Sequence, residues 1–247
     1  MRALAAILVA ALAAQDDPLL KEVSRGWQHA WDGFGGGSTV RTRQTSKRPE
    51  IDGDGKLVYK QESQDVIYTL MTPEGEKPML KIQGDGQESH VPFFKTLPTW
   101  FRGKIEPKGQ EEIAVGDRKY ACSVSRIGLD EGKDASQVTT IARAPEAAIW
   151  AVRVRVETFA NGVRNTLEEQ LLVAENQKLK VGEKDLVCQI VQVTTETAGG
   201  GKTVKKEWRS DEVPGRLVRS EVRQFLNDKE IAAAGSVMEV VSFRAIK

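Results

Sequence analysis

Several groups of residues in this 247-residue chain have types and spacings that chemistry could use. Gly199-Gly200-Gly201-Lys202-Thr203 matches the end of a phosphate-binding loop, where backbone N–H groups and a helix N-terminus cradle phosphate oxygens. The full pattern needs glycine at position 196, where Glu196 stands, and a strand before and a helix after. Both flanks read as strands, so a hairpin loop is expected. Asp52-Gly53-Asp54-Gly55 offers the first oxygen donors of a calcium loop, but Lys56, Leu57 and Ser63 occupy the positions that should complete it. A turn is expected there, and no metal ligand is assigned. His29 and His90 are the two imidazoles, and no Gly-x-Ser-x-Gly elbow supplies a serine for either to activate. Glu111-Glu112 and Glu168-Glu169 are adjacent carboxylates, which on a strand point to opposite faces. No catalytic residue is assigned and no cofactor is implied; the reading leans against an enzyme.

The remaining candidates are thiols, indoles and guanidinium groups. Cys122 and Cys188 leave two readings open: a disulfide if the chain folds in an oxidising compartment, or two equivalent buried thiols. Trp27 and Trp31 could close the mouth of a cavity or pack on a sheet, while Trp150 and Trp208 could line a cavity or stack on sugar rings. Arg41, Arg43, Arg153, Arg155, Arg216, Arg219 and Arg223 could grip an acidic ligand. Cross-strand pairing with Glu157, Glu168, Glu221 and Glu239 is the expected use. With 36 Lys+Arg against 35 Asp+Glu, the balance excludes a chain built to hold nucleic acid or an anionic membrane.

The elements that must position these residues are mostly strands. Residues 15–34 read as one amphipathic helix: Asp17 as N-cap, Pro18 at the first helical position, then Leu19, Val23, Trp27 and Trp31 at every fourth residue. Residues 35–112 form an N-terminal β region. In it Ser38–Thr45, Lys56–Glu62, Asp65–Thr72 and Pro78–Ile82 read as strands, and His90–Phe101 as a packed, proline-broken loop. Beyond it lies a repeat. Shifted by 66 residues without a gap, 113–162 matches 179–228 at eleven of fifty positions, including Val115-Gly116 on Val181-Gly182, Cys122 on Cys188 and Val152-Arg153 on Val218-Arg219. Units 113–178 and 179–247 therefore each read as a four-stranded meander: 118–127, 136–143, 149–159 and 164–175, then 184–195, 202–209, 216–225 and 231–243. The expected fold is mainly β, a large antiparallel curled sheet or half-barrel of tandem meanders, with one N-terminal amphipathic helix. Residues 15–247 are expected to form one continuous domain.

Met1-Arg2, the apolar run Ala3–Ala14 and Ala11-Leu12-Ala13 describe a secretory signal peptide over residues 1–14. Its helix of about 18 Å is too short for a hydrocarbon core of about 30 Å. The mature chain is then expected to be periplasmic or extracellular, with no transmembrane segment. The block from Val181-Gly182 through Cys188 to Trp208 and Val213-Pro214-Gly215 resembles a hairpin in uncharacterised exported bacterial β proteins. The layout, a helix followed by many long antiparallel strands, is similar to periplasmic lipoprotein-carrier-like half-barrels. That resemblance implies a concave sheet sheltering a lipid under a helical lid. The leading expectation is an exported, non-enzymatic envelope protein that binds or carries a hydrophobic or lipid-like ligand near Trp27 and Trp31. The alternatives are a structural or protein-interaction β module with an envelope protein as partner, and a glycan-binding protein using Trp150 and Trp208.

Overall fold

The computed structural model describes residues 18–24, 30–72, 78–92, 103–130, 135–231 and 234–247. The signal-peptide segment, Trp27, His29 and Trp100 lie outside them. Among the described residues one short helix, α1 (Pro18–Ser24), precedes fourteen strands: β1 (Thr39–Ile51), β2 (Leu57–Met71), β3 (Met79–Gly84), β4 (Gln87–Pro92), β5 (Lys104–Val115), β6 (Arg118–Asp130), β7 (Ala135–Arg143), β8 (Arg153–Ala160), β9 (Val163–Val181), β10 (Lys184–Thr197), β11 (Gly201–Arg209), β12 (Leu217–Leu226), β13 (Lys229–Glu230) and β14 (Ser236–Arg244). They make one large antiparallel sheet that is not closed into a barrel, in the order β4-β3-β2-β1-β14-β12-β11-β10-β9-β8-β7-β6-β5, with β13 beside β12. The mainly β, antiparallel expectation is therefore met. No helix among the described residues is long and apolar enough to cross a membrane.

The offset of 66 reappears in the backbone. β6 begins at Arg118 and β10 at Lys184; β7 spans Ala135–Arg143 and β11 spans Gly201–Arg209. Gly116 and Gly182 both turn with φ near +58°, and Asn161 and Asn227 both adopt the left-handed conformation that asparagine tolerates. Matching positions also fill matching interiors. Val115, Tyr120, Cys122 and Val152 are buried in one core, and Val181, Leu186, Cys188 and Val218 in another. Where β9 runs unbroken, its counterpart is interrupted between β13 and β14.

The chain divides into two compact units, each with its own interior. In the first, the described residues within 18–24, 103–130, 135–173 and 194–199 surround two clusters. One gathers Ile113, Tyr120, Cys122, Val152 and Leu172; the other gathers Val23, Ile105, Ile127, Ile141, Ala151 and Val154. In the second, residues 29–95, 174–193 and 200–247 surround Trp31, Val40, Leu70, Leu186, Cys188, Val213, Val218 and Val240.

Four local expectations need correction. The described helix is Pro18–Ser24, and Ala30–Gly33 is a turn, so residues 15–34 are not one helix. Val23 and Trp31 belong to different cores, so the four-residue stripe is not one buried face. Gln87–Pro92 is a strand where a loop from His90 was expected, because Asp85 and Gly86, at φ 48° and 73°, make the tight turn that returns the chain beside β3. Lys56–Glu62 and Asp65–Thr72 are one strand, β2, and Ser38–Thr45 is the first part of a β1 that reaches Ile51.

Candidate functional site

Of the four tryptophans expected at a binding site, Trp31, Trp150 and Trp208 are among the described residues. α1 lies on the first unit through Val23, which is packed among Ile105, Ile127, Ile141, Ala151 and Val154, with Leu19 and Trp150 against them. A helix end leaves carbonyls without partners. Here Trp150 Nε1 donates to the Val23 carbonyl at 2.9 Å, and Arg143 Nη1 donates to the Glu22 carbonyl at 2.6 Å. The Arg143 guanidinium also lies 6.0 Å from the Trp150 ring centre and donates through Nε to the Trp150 carbonyl. Trp150 is thus a clamp on the helix C-terminus, and its indole N–H is spent there.

Trp31 plays a related part in the second unit. It is 8% exposed, and its indole atoms stand 3.4 Å from where a Cβ on Gly215 would be. The ring lies beside the buried Val213-Pro214 turn, where Gly215 takes φ +79°, a backbone conformation that favours glycine. The glycines after Trp31 have a second purpose. Gly35 N–H donates to the Ile246 carbonyl at 2.5 Å, Gly37 N–H donates to the Leu70 carbonyl at 2.7 Å, and Ser38 Oγ exchanges hydrogen bonds with the Ile246 backbone. A Cβ on Gly36 would come within 2.1 Å of Thr72 Oγ1.

Trp208 is half-buried against the second core and flanked by cations, with Lys206 Nζ 4.9 Å and the Arg219 guanidinium 5.3 Å from its ring centre. Trp150 and Trp208 lie in different units and are brought together in neither. Cys122 and Cys188 are free thiols, each buried in its own core, so of the two open readings the disulfide is not formed in this structure. Burial pushes both thiols above their ordinary pKa, with the nearby charge of Glu111 adding to the effect at Cys122 and that of Glu212 at Cys188.

The arginines are largely matched. Arg41 and Arg43 share Asp65, Arg153 grips Glu111 with two hydrogen bonds, Arg155 meets Glu157, and Arg219 meets both Glu221 and Glu239. Hydrogen bonds from Arg43 and Arg41 hold Asp65 at a pKa of about 2. Glu207 is buried between Lys205 and Arg209 on β11. Burial alone would push its carboxyl up; the charge of Arg209 and the hydrogen bond and charge of Lys205 outweigh that and hold it below the usual carboxylate range.

The feature that the sequence reading passed over is the outer half of the β1–β2 hairpin. β1 pairs with β2 without a register shift from Thr39↔Thr69 to Ile51↔Leu57. β14 supports β1 only as far as Ser46↔Ser236, and β3 supports β2 only from Val66↔Gly84. Residues 47–51 and 57–62 therefore form a two-stranded ribbon about 17 Å long, at 3.4 Å per residue, beyond its neighbours. Partners across a ladder share a face and successive residues alternate. Near the sheet Val40, Val66, Tyr68 and Leu70 are buried or half-buried on the even-numbered face, and the odd-numbered face carries Arg41, Arg43 and Asp65 with the exposed Ile67 opposite Arg41. In the ribbon the pattern inverts. The odd-numbered face carries Pro49 opposite Tyr59 and Ile51 opposite Leu57, while the even-numbered face carries the ion pairs Arg48–Glu62 and Lys60–Glu50 together with Val58 opposite Glu50. Ile51 is 70% exposed, Leu57 61% and Tyr59 49%. The sign of this was present in the sequence as apolar alternation that changes phase between Tyr59 and Val66.

No family model, curated protein or solved structure matches the chain.

Proposed function

We propose that the chain is a non-enzymatic β-sheet interaction module whose partner is another protein chain, bound through the ribbon formed by Lys47–Ile51 and Leu57–Glu62. The observation that carries this reading is the inversion of the apolar face. An isolated two-stranded hairpin is marginal in water. One that gathers Pro49, Ile51, Leu57 and Tyr59 on one exposed face, and places only Val58 beside the ion pairs on the other, gains most when a partner covers the more apolar side. Export through the apolar stretch Ala3–Ala14 belongs to the same proposal and would make the partner an envelope or secreted protein.

The rival reading, a lipid-like ligand held between the sheet and the N-terminal helix, draws no support from the described residues. Val23 fills the space beneath α1, and Trp31 is part of a core. The glycan reading has as little to stand on. The ring of Trp208 is flanked by cations, and the indole of Trp150 holds a helix end.

A photoreactive amino acid placed at position 51 or 57, in the cells that make the protein, tests the proposal. Protein adducts should form at both positions and be missing from a control at the exposed Lys229. The same adducts at all three positions, or lipid adducts alone at 51 and 57, would overturn it.

A further inference from the structure

We infer that the ribbon also joins two copies of this chain, by antiparallel pairing of the outer edge of β2 with the same edge of a second copy. This rests on the reading of the ribbon as the interaction surface and names one partner for it. Among the described residues the outer edge of β2 has no neighbouring strand over Leu57–Asp65, because pairing with β3 starts only at Val66. Such an edge offers a row of unpaired backbone donors and acceptors, and natural sheets block these rows with proline, bulges or charge.

Among the described residues each of the other open edges carries a proline, although Gln87–Val91 of β4 and Lys108–Val115 of β5 are free of it. The free part of β1 contains Pro49, β4 ends in Pro92, and β5 carries Pro107 at a register shift beside Gly109. Leu57–Asp65 contains no proline and pairs with β1 without a shift.

The charge pattern selects a second copy as the occupant. Two identical strands paired antiparallel about a two-fold axis at Gln61 place Lys60 of each opposite Glu62 of the other, giving two ion pairs related by symmetry. The same register sets Tyr59 opposite Ser63 and Val58 opposite Gln64, with no like charges facing each other. Cross-strand partners share a face, so the two apolar patches built on Pro49, Ile51, Leu57 and Tyr59 come to lie on the same side of a four-stranded ribbon. They remain available to another protein.

Sedimentation velocity over a concentration series reads the dimer directly. Lys60→Glu and Glu62→Lys each turn both facing pairs into like-charge pairs, and each should weaken self-association about tenfold. The double variant K60E/E62K restores opposite charges across the axis and should recover the wild-type dissociation constant. An equimolar mixture of the two single variants should form the mixed dimer. Unchanged circular dichroism and thermal midpoints will show that the variants fold. A wild-type chain that stays monomeric, or single variants that dimerise as well as the wild type, would overturn the inference; so would a double variant that fails to recover. None of these results touches the reading of the ribbon as a protein-binding element, which stands or falls with the adducts at positions 51 and 57.

Discussion

Replacing Trp31 by alanine separates a core residue from a removable cover. Trp31 is buried in the second unit's interior with Val40, Leu70, Leu186, Val213 and Val218, and its ring lies on Gly215. Truncating a buried tryptophan costs about 3–5 kcal/mol, from the lost transfer energy and from the void left when the surroundings cannot collapse. Collapse is hindered here because the wall opposite the ring is the backbone of a tight turn containing the buried Pro214. For a chain of this length the loss corresponds to a fall in Tm of about 6–20 °C. Urea unfolding should show the same loss. Amide exchange should place it in β1, β2, β10 and β14 of the second unit, because two compact units need not unfold together. A lid over a ligand space behaves differently: W31A would then cost less than about 1 kcal/mol, as a surface substitution does. That result would refute the argument that Trp31 is structural.

Three further outcomes follow from the geometry. Trp150→Phe keeps most of the ring but removes the hydrogen bond to the Val23 carbonyl, so amide exchange in Pro18–Ser24 should accelerate about fivefold, equivalent to about 1 kcal/mol of local stability. Unchanged exchange would contradict the clamp. Asp65 has a folded pKa depressed to about 2, so the stability it contributes is fully present above the ordinary carboxylate pKa near 4 and is lost as pH falls towards 2. Asp65→Asn should flatten the acid limb of the Tm–pH curve in that window and leave it unchanged in shape above pH ~5. Cys122 and Cys188, buried and with raised thiol pKa, should resist a thiol reagent in the native protein and react at two equivalents in denaturant. A mass 2 Da lower on non-reducing than on reducing treatment would show the disulfide instead.

The repeat was legible because its signals are local and covalent in spacing. Val-Gly turns at 115–116 and 181–182, buried Cys122 and Cys188, and Asn161 and Asn227 at hairpin turns recur at one offset without insertion. Most meander strands followed from alternation and came out within three residues, but β9 runs on to Val181 where an end at 175 was expected, β14 begins at Ser236 where a start at 231 was expected, and β8 begins later than expected. The sequence placed that strand from 149, whereas 149–152 belongs to the turn that carries Trp150. The N-terminal third was harder to read for a physical reason. β2 changes its apolar phase between Tyr59 and Val66, so a single strand looks like two with a polar break at Ser63-Gln64. The roles of Trp31 and Trp150 were not legible. Each is decided by a contact with a distant backbone, Gly215 in one case and the end of α1 in the other, and residue spacing carries no record of such contacts.

The pairing of β1 with β14 has a consequence for how the chain comes into being. Ser38 and Ile246, which exchange hydrogen bonds, are 208 residues apart. β1 waits with one flank open until β14 has been synthesised. Contacts of such separation make folding slow, and the waiting flank is an aggregation hazard meanwhile. Loss of β14 would therefore leave β1–β4 without an inner neighbour, so this strand acts as the late-arriving keystone for strands made well before it.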